Sequence, residues 1–326
     1  MRASQLTGFG RPPEILRVET LPQPEPAAGE LLLEMLAAPI NPADLNVIDG
    51  TYGFLPTPPA IIGNEGVGRV AGLGQGVEGY AIGELVVPLS FGNWAQSKVT
   101  AADQVLRLPA AIDLSQAAML SINPPTAWAM LEDFVTLEPG DWIVQNAANS
   151  GVGRSVIQLA KARGLKTLNV VRRPELVPEL QAIGADVVVT EETDLRKSVE
   201  DLCHGQRPRL GFNAVGGASA LNLANALADR GTLVTYGAMA RQPLKIPNGL
   251  LIFRNLEFKG YWLRRWFQTT PREKLEEIFT ELAALTVEGR LYTPVHRTFP
   301  LTDLLAAVEE AAQEKRSGKI LLDLRN

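Results

Sequence analysis

From Trp142 the chain reads Trp-Ile-Val-Gln-Asn, then Ala-Ala-Asn-Ser-Gly-Val-Gly, and passes straight into a segment with Val152, Val156, Leu159 and Ala160 on one helical face. This places a tight turn of small residues between a buried strand and a helix N-terminus. Few architectures accept that order. The rest of the middle repeats the alternation: apolar strands at Leu168–Val171, Val187–Val189, Leu210–Val215 and Leu233–Tyr236, with a helical stretch Ala218–Asp229 between the last two. Strands alternating with helical patterns predict βαβ units, a parallel sheet and right-handed crossovers.

The flanks read differently. Residues 1–115 are dense in Gly and Pro, with short apolar runs at Leu31–Leu36, Ile61–Ile62, Val67–Ala71 and Leu85–Leu89. Such runs between turn residues predict a β-rich, barrel-like region. Beyond Gly260 come two helical patterns, Arg272–Glu288 and Leu301–Glu314, and a closing strand Lys319–Leu324. The layout expected is an α/β nucleotide domain, 121–259, inserted into a β-rich domain made of 1–120 and 260–326.

A helix N-terminus behind such a turn offers backbone N–H groups and the positive end of the helix dipole, which suit a diphosphate. The dinucleotide fingerprint asks for Gly at three positions, and here they fall on Ala148, Ser150 and Gly153. The motif is degenerate, yet small side chains keep close approach possible, and the Ser150 hydroxyl can itself donate to phosphate. The plainer alternative is a turn kept for packing; the strand before, the helix after and the further βα units favour the cofactor. Where an NAD enzyme carries an acid about 20 residues after the turn, this chain has Arg172 and Arg173, with no acid until Glu175. Guanidinium donors suit a 2′-phosphate, so NADPH is expected over NADH. A solvated surface pair is the alternative.

Composition narrows the classes. With 31 Lys+Arg against 36 Asp+Glu, the net charge of −5 gives no electrostatic reason to bind nucleic acid or an anionic membrane. Cys203, His204 and His296 are the whole soft-ligand inventory, which argues against a Cys/His zinc site. A lone cysteine fits a reducing compartment. No signal-peptide pattern is read at the N-terminus, and no apolar run approaches the ~20 residues of a membrane span. The expectation is a cytoplasmic protein.

The chain resembles the medium-chain dehydrogenase/reductase superfamily through Pro59-Ala-Ile-Ile-Gly-Asn-Glu-Gly-Val-Gly68, the degenerate turn, Leu180-Gln-Ala-Ile-Gly-Ala-Asp-Val-Val-Val189 and Val215-Gly-Gly217. The resemblance implies a GroES-like catalytic domain, a Rossmann-type domain and a cleft between them. The zinc alcohol dehydrogenases of that superfamily carry Gly-His-Glu where this chain has Gly63-Asn64-Glu65, and a Cys ahead of an Asp where it has Asn41-Pro-Ala-Asp44. Both ligand positions are amides, so metal-assisted alcohol oxidation is not expected.

Among the zinc-free branches the chain is similar to the 2-enoyl thioester reductases of fatty-acid synthesis. Four stretches carry this: Ile40–Tyr52, Gly63–Gly68, Gln145–Gly153 and Gly260-Tyr-Trp-Leu-Arg-Arg-Trp266. Quinone reductases share an Asn-Pro and a Gly-x-Tyr at similar spacing, so the first stretch alone does not separate the two. Reducing a 2-enoyl thioester needs hydride at the β-carbon, a donor for the charge on the thioester oxygen and a proton at the α-carbon. With no histidine in the motif regions, the donor is a hydroxyl, an amide or a backbone N–H. Tyr52 stands in a Gly-rich loop close to the Asn41–Asp44 turn, and the resemblance makes it the catalytic residue; on its own it is one of five tyrosines.

The resemblance further implies cofactor contacts at Asn123, Asn149, Ser150, Gly151, Val152, Tyr236, Gly237, Ala238, Met239, Tyr261, Trp262, Leu263 and Lys319. One residue is missing after Arg172 relative to the usual Arg-Asp-Arg, and Ala238 replaces a common Gly. Trp262 and Trp266 also suit a core reading. Arg264-Arg265 suits either a solvated pair or the phosphates of a coenzyme A or phosphopantetheine arm. Cys203 is expected to be structural, with His204 and His296 isolated surface residues. The partner is a thioester on coenzyme A or acyl carrier protein, and the family implies a homodimer. A quinone or enone reductase is the competing enzyme, and a non-catalytic NADPH sensor the competing class.

Overall fold

Strand Trp142–Gln145 is buried at every residue and sits third in a parallel sheet of six strands. In the computed structural model, which describes residues 1–313 and 317–325, the strand order is 187–190, 166–171, 142–145, 210–213, 232–235, 257–260. Every neighbouring pair is parallel. The order reverses between Trp142–Gln145 and Leu210–Asn213. That switch point, at the carboxyl ends of the two strands, is where doubly wound sheets bind ligands. Two buried asparagines brace it. Asn146 Nδ2 donates to Asn213 Oδ1 at 2.9 Å, and Asn146 Oδ1 accepts from Ala214 N at 2.7 Å. Helix Gly151–Ala162 follows the turn and buries Val152, Val156, Ile157, Leu159 and Ala160. Each larger side chain contributes about 1.5–3 kcal/mol by that burial.

This sheet belongs to the unit Asn123–Thr269; Met1–Ile122 and Thr270–Asn326 form a second unit. The second split falls ten residues after the expected 259/260, because strand Glu257–Gly260 joins the parallel sheet and helix Leu263–Thr269 packs with it.

The second unit is built on a seven-stranded sheet among the described residues. Its order is 295–300, 319–323, 30–39, 67–73, 85–88, 105–107, with 97–101 also on 30–39. Pairing is antiparallel except between Val295–Pro300 and Lys319–Asp323. A separate hairpin pairs Arg2–Leu6 with Leu16–Thr20. The core gathers Leu31, Leu33, Met35, Ile40, Ile62, Trp94, Val308 and Leu322, among others.

Several expected elements shift. Ile61–Ile62 is coil, although Ile62 is fully buried. The pattern from Leu301 opens as a 3-10 turn, Leu301–Asp303, before helix Leu304–Ala312; Glu314 lies outside the described residues. Among the described residues, no helix is long and apolar enough to cross a membrane.

Candidate active site

The turn after Trp142–Gln145 is held by its own backbone. Ala147 adopts φ +47°, a left-handed conformation costly for a residue with a Cβ, and its carbonyl accepts from Ser150 N at 2.9 Å. Ser150 caps the following helix, its Oγ accepting from Gly153 N at 3.1 Å. That use leaves the hydroxyl hydrogen free to donate. A Cβ on Gly153 would lie 2.6 Å from the Ala148 carbonyl, and one on Gly151 would lie 2.9 Å from Asn123 Cγ. A side chain at 153 would run into backbone, and one at 151 would displace the Asn123 side chain. The fingerprint alignment, on Ala148, Ser150 and Gly153, passes over Gly151, because its constraint comes from Asn123, distant in sequence.

Among the described residues, Asn123 Nδ2 and the Tyr236 hydroxyl are buried without a hydrogen bond of good geometry, although the hydroxyl faces Ser150. Burial pushes the Tyr236 phenol well above its ordinary value, so it stays a neutral donor. Such groups are costly unless a ligand or water meets them. Together with the glycines and the helix N-terminus, they fit a dinucleotide. Asn149 and Ser150 are half-buried at the turn, and Val152 is 9 % exposed. After strand Thr232–Thr235, a Cβ on Gly237 would lie 2.9 Å from the Ala214 carbonyl. Ala238 is exposed, and Met239 is an exposed apolar side chain.

At the end of strand Lys166–Val171, Arg172 is exposed; Arg173 is half-buried with Nη1 3.7 Å from Glu175 Oε1. Near the end of the unit, Tyr261 sets its ring edge-on to Phe134, centroids 6.2 Å apart, and its hydroxyl is buried without a partner among the described residues. Trp262 and Leu263 are half-buried, and Arg264 and Arg265 are exposed. Trp266 is not a core residue. It is half-buried, donates through Nε1 to Asp133 Oδ2 at 2.8 Å, and lies 6.5 Å from the Trp128 ring.

In the other unit, helix Pro42–Ile48 begins at Asn41 with a capping box in which Asp44 Oδ2 accepts from Asn41 N at 2.7 Å. Asn46, in the last turn of that helix, offers its carbonyl to Thr51 N at 2.9 Å and Tyr52 N at 3.1 Å. Tyr52 is thereby suspended from the helix, half-buried against the core. The amides that stand at the metal-ligand positions of the zinc enzymes are occupied by neighbours. Asn41 Nδ2 donates to Glu65 Oε2 at 2.9 Å, Lys319 Nζ donates to Asn41 Oδ1, and Asn64 Nδ2 donates to Asp44 Oδ1 at 2.7 Å. Lys319 is thus a buried cation within this cluster. Burial pushes Glu65 up to about 7 despite Lys319, and raises Asp44 as well.

The remaining candidates fall outside the site. Cys203 is fully buried, which pushes its thiol up to about 12. His204 and His296 are exposed but not isolated: the His204 ring lies 6.2 Å from Trp142, and His296 Nε2 lies 3.3 Å from Glu310 Oε1.

Two family models match the chain: the alcohol dehydrogenase GroES-like domain over residues 27–110, and the zinc-binding dehydrogenase model over residues 151–283. Among curated relatives, the mitochondrial enoyl-[acyl-carrier-protein] reductase of Xenopus tropicalis is 41% identical over 96% of this chain and 92% of its own length. The Homo sapiens protein of the same name is 40% identical over 99% and 89%. Among solved structures, the Etr1p complex with NADP and crotonyl-CoA is 29% identical, with a TM-score of 0.89 and 99% of both chains covered. The Candida tropicalis mitochondrial 2-enoyl thioester reductase Etr1p/Etr2p heterodimer gives 29%, 0.88 and 99% of both. The Escherichia coli quinone oxidoreductase complexed with NADPH gives 27%, 0.90, and 99% and 100%. The relatives' mitochondrial names overturn the cytoplasmic placement. Composition and a lone cysteine report a reducing environment, which does not distinguish the two compartments. On full-length identity of about 40%, the chain belongs to the enoyl-[acyl-carrier-protein] reductases of the medium-chain dehydrogenase/reductase superfamily.

Proposed function

We infer that this protein reduces the C2=C3 double bond of 2-enoyl thioesters with NADPH. The observation that carries the reading is identity of about 40% to enoyl-[acyl-carrier-protein] reductases over almost the whole chain, so that both units are included. The unit Asn123–Thr269 is the cofactor domain and the other is the catalytic domain. Asn123, Asn149, Ser150, Gly151, Val152, Tyr236–Met239 and Tyr261–Leu263 hold the cofactor, with Arg172 and Arg173 on its 2′-phosphate and Lys319 as a further contact. When bound, the cofactor would supply hydride to the β-carbon, with the proton at the α-carbon coming from solvent. Tyr52 donates to the thioester oxygen as negative charge builds there, and helix Pro42–Ile48 fixes its position. The amides at 41 and 64 are bound to Glu65, Lys319 and Asp44, an arrangement suited to holding that helix in place.

The acyl group is carried on coenzyme A or an acyl carrier protein. The protein acts as a homodimer joined at the edge of the parallel sheet, where strand Glu257–Gly260 pairs on one side with Thr232–Thr235 and the nearby Leu251, Ile252 and Phe253 are exposed. Sedimentation tests the dimer. The function is tested by NADPH consumption with crotonyl-, hexenoyl- and decenoyl-CoA beside a panel of quinones. Faster turnover of an enoyl-CoA is expected. A higher kcat/KM on quinones overturns the assignment in favour of a quinone or enone reductase.

A further inference from the structure

Arg154 occupies the first turn of helix Gly151–Ala162 and is 5 % exposed. A cation there is disfavoured twice, by the positive end of the helix dipole and by loss of water. Its partners account for its presence. Nε donates to the Asn149 carbonyl of the diphosphate turn at 3.3 Å, and Nη2 forms an ion pair with Glu179. Glu179 lies on helix Val177–Ala182, five residues beyond Pro174, which follows Arg172-Arg173. One guanidinium therefore ties the turn to the segment that begins with the two arginines. Beneath it, Ala148 of the turn shares one apolar cluster with Ile157, Val171, Leu176 and Leu180. The polar tie and the apolar floor make the turn and segment 172–182 a single body.

We propose that the Arg154–Glu179 pair is a positioning device for cofactor choice, holding Arg172 and Arg173 in register with the diphosphate turn so that a 2′-phosphate is preferred. This rests on the assignment of the two arginines to that phosphate. A cofactor lacking the 2′-phosphate uses the turn but not the arginines, so loosening the tie weakens NADPH selectively. A general structural defect weakens both cofactors alike.

The test is calorimetric titration of NADPH and NADH into the wild type, Arg154→Gln, Glu179→Gln, the double variant, and Arg172→Ala/Arg173→Ala as reference. The Glu179 side chain is 37% exposed, and Glu179→Gln keeps an oxygen that can accept from Arg154. Each single variant is expected to weaken NADPH five- to tenfold and NADH less than twofold, and the double variant to be no worse than the weaker single. Equal losses for both cofactors, or no loss, in a reference background where Arg172→Ala/Arg173→Ala lowers the NADPH/NADH ratio, overturn the tie alone. An unchanged ratio in the reference variant overturns the 2′-phosphate assignment and the tie with it.

Discussion

One added methyl group separates the two glycines of the diphosphate turn. At Gly151 it meets the Asn123 side chain, which can turn aside; at Gly153 it meets the Ala148 carbonyl at 2.6 Å, which cannot move without the strand. Gly151→Ala is therefore expected to fold with a loss of about 1 kcal/mol and to weaken NADPH about tenfold, because displaced Asn123 leaves the cofactor's side. Gly153→Ala is expected to lose roughly 1–3 kcal/mol. Urea melts and NADPH titrations of the two variants check the order, and a more stable Gly153→Ala than Gly151→Ala contradicts it. At Tyr52, removing the hydroxyl keeps the ring's packing. Tyr52→Phe is expected to lower kcat on crotonyl-CoA about 100-fold, the scale of one lost oxyanion donor, with NADPH affinity near wild type. Full activity in that variant removes Tyr52 from the mechanism.

Elements differ in how plainly their sequence declares them. Strands that are buried on both faces, such as Trp142–Gln145 and Leu210–Asn213, are nearly unbroken apolar runs and read directly. Strand Glu257–Gly260 does not: at the sheet edge it carries Glu, Phe, Lys and Gly, and hydrogen bonding to one neighbour sustains it without an apolar pattern. Val295–Pro300 is similar, a mostly exposed strand kept by its parallel partner Lys319–Asp323. The same logic hides Glu179, whose partner Arg154 lies 25 residues away. Helix Leu263–Thr269 is weakly held within the parallel-sheet unit, since none of its residues is buried. Trp266, on Asp133 and beside Trp128, is its chief anchor. Trp266→Ala is expected to speed amide hydrogen exchange across residues 263–269 at least tenfold, while the melting temperature of the whole protein changes by less than about 2 °C. Unchanged exchange in that helix removes the anchor role.

For the molecule as a whole, two buried groups shape stability against pH in opposite senses. Glu65 is pushed from 4.5 up to about 7, so between these values the folded chain holds a proton that the unfolded chain has released. Stability therefore falls as pH rises through that window. Asp44, raised by the same burial, adds to the fall. Lys98 is buried with the Ser90 and Phe91 carbonyls as its hydrogen-bond partners, at 3.1 and 2.5 Å, and burial pushes it from 10.5 down to about 7. Between these values the unfolded chain binds the extra proton, so stability rises with pH there. A tenfold difference in proton affinity between the folded and unfolded chain is worth about 1.4 kcal/mol. The unfolding free energy is thus expected to pass through a minimum near pH 7, on the order of 2 kcal/mol below its values at pH 5 and pH 9. Urea melts at the three pH values measure it. Glu65→Gln should flatten the acid limb and leave the alkaline limb, and Lys98→Met should do the reverse. A curve that is flat from pH 5 to pH 9 would mean that both groups stay charged in the fold, with Lys319 sufficient for Glu65 and the two carbonyls sufficient for Lys98.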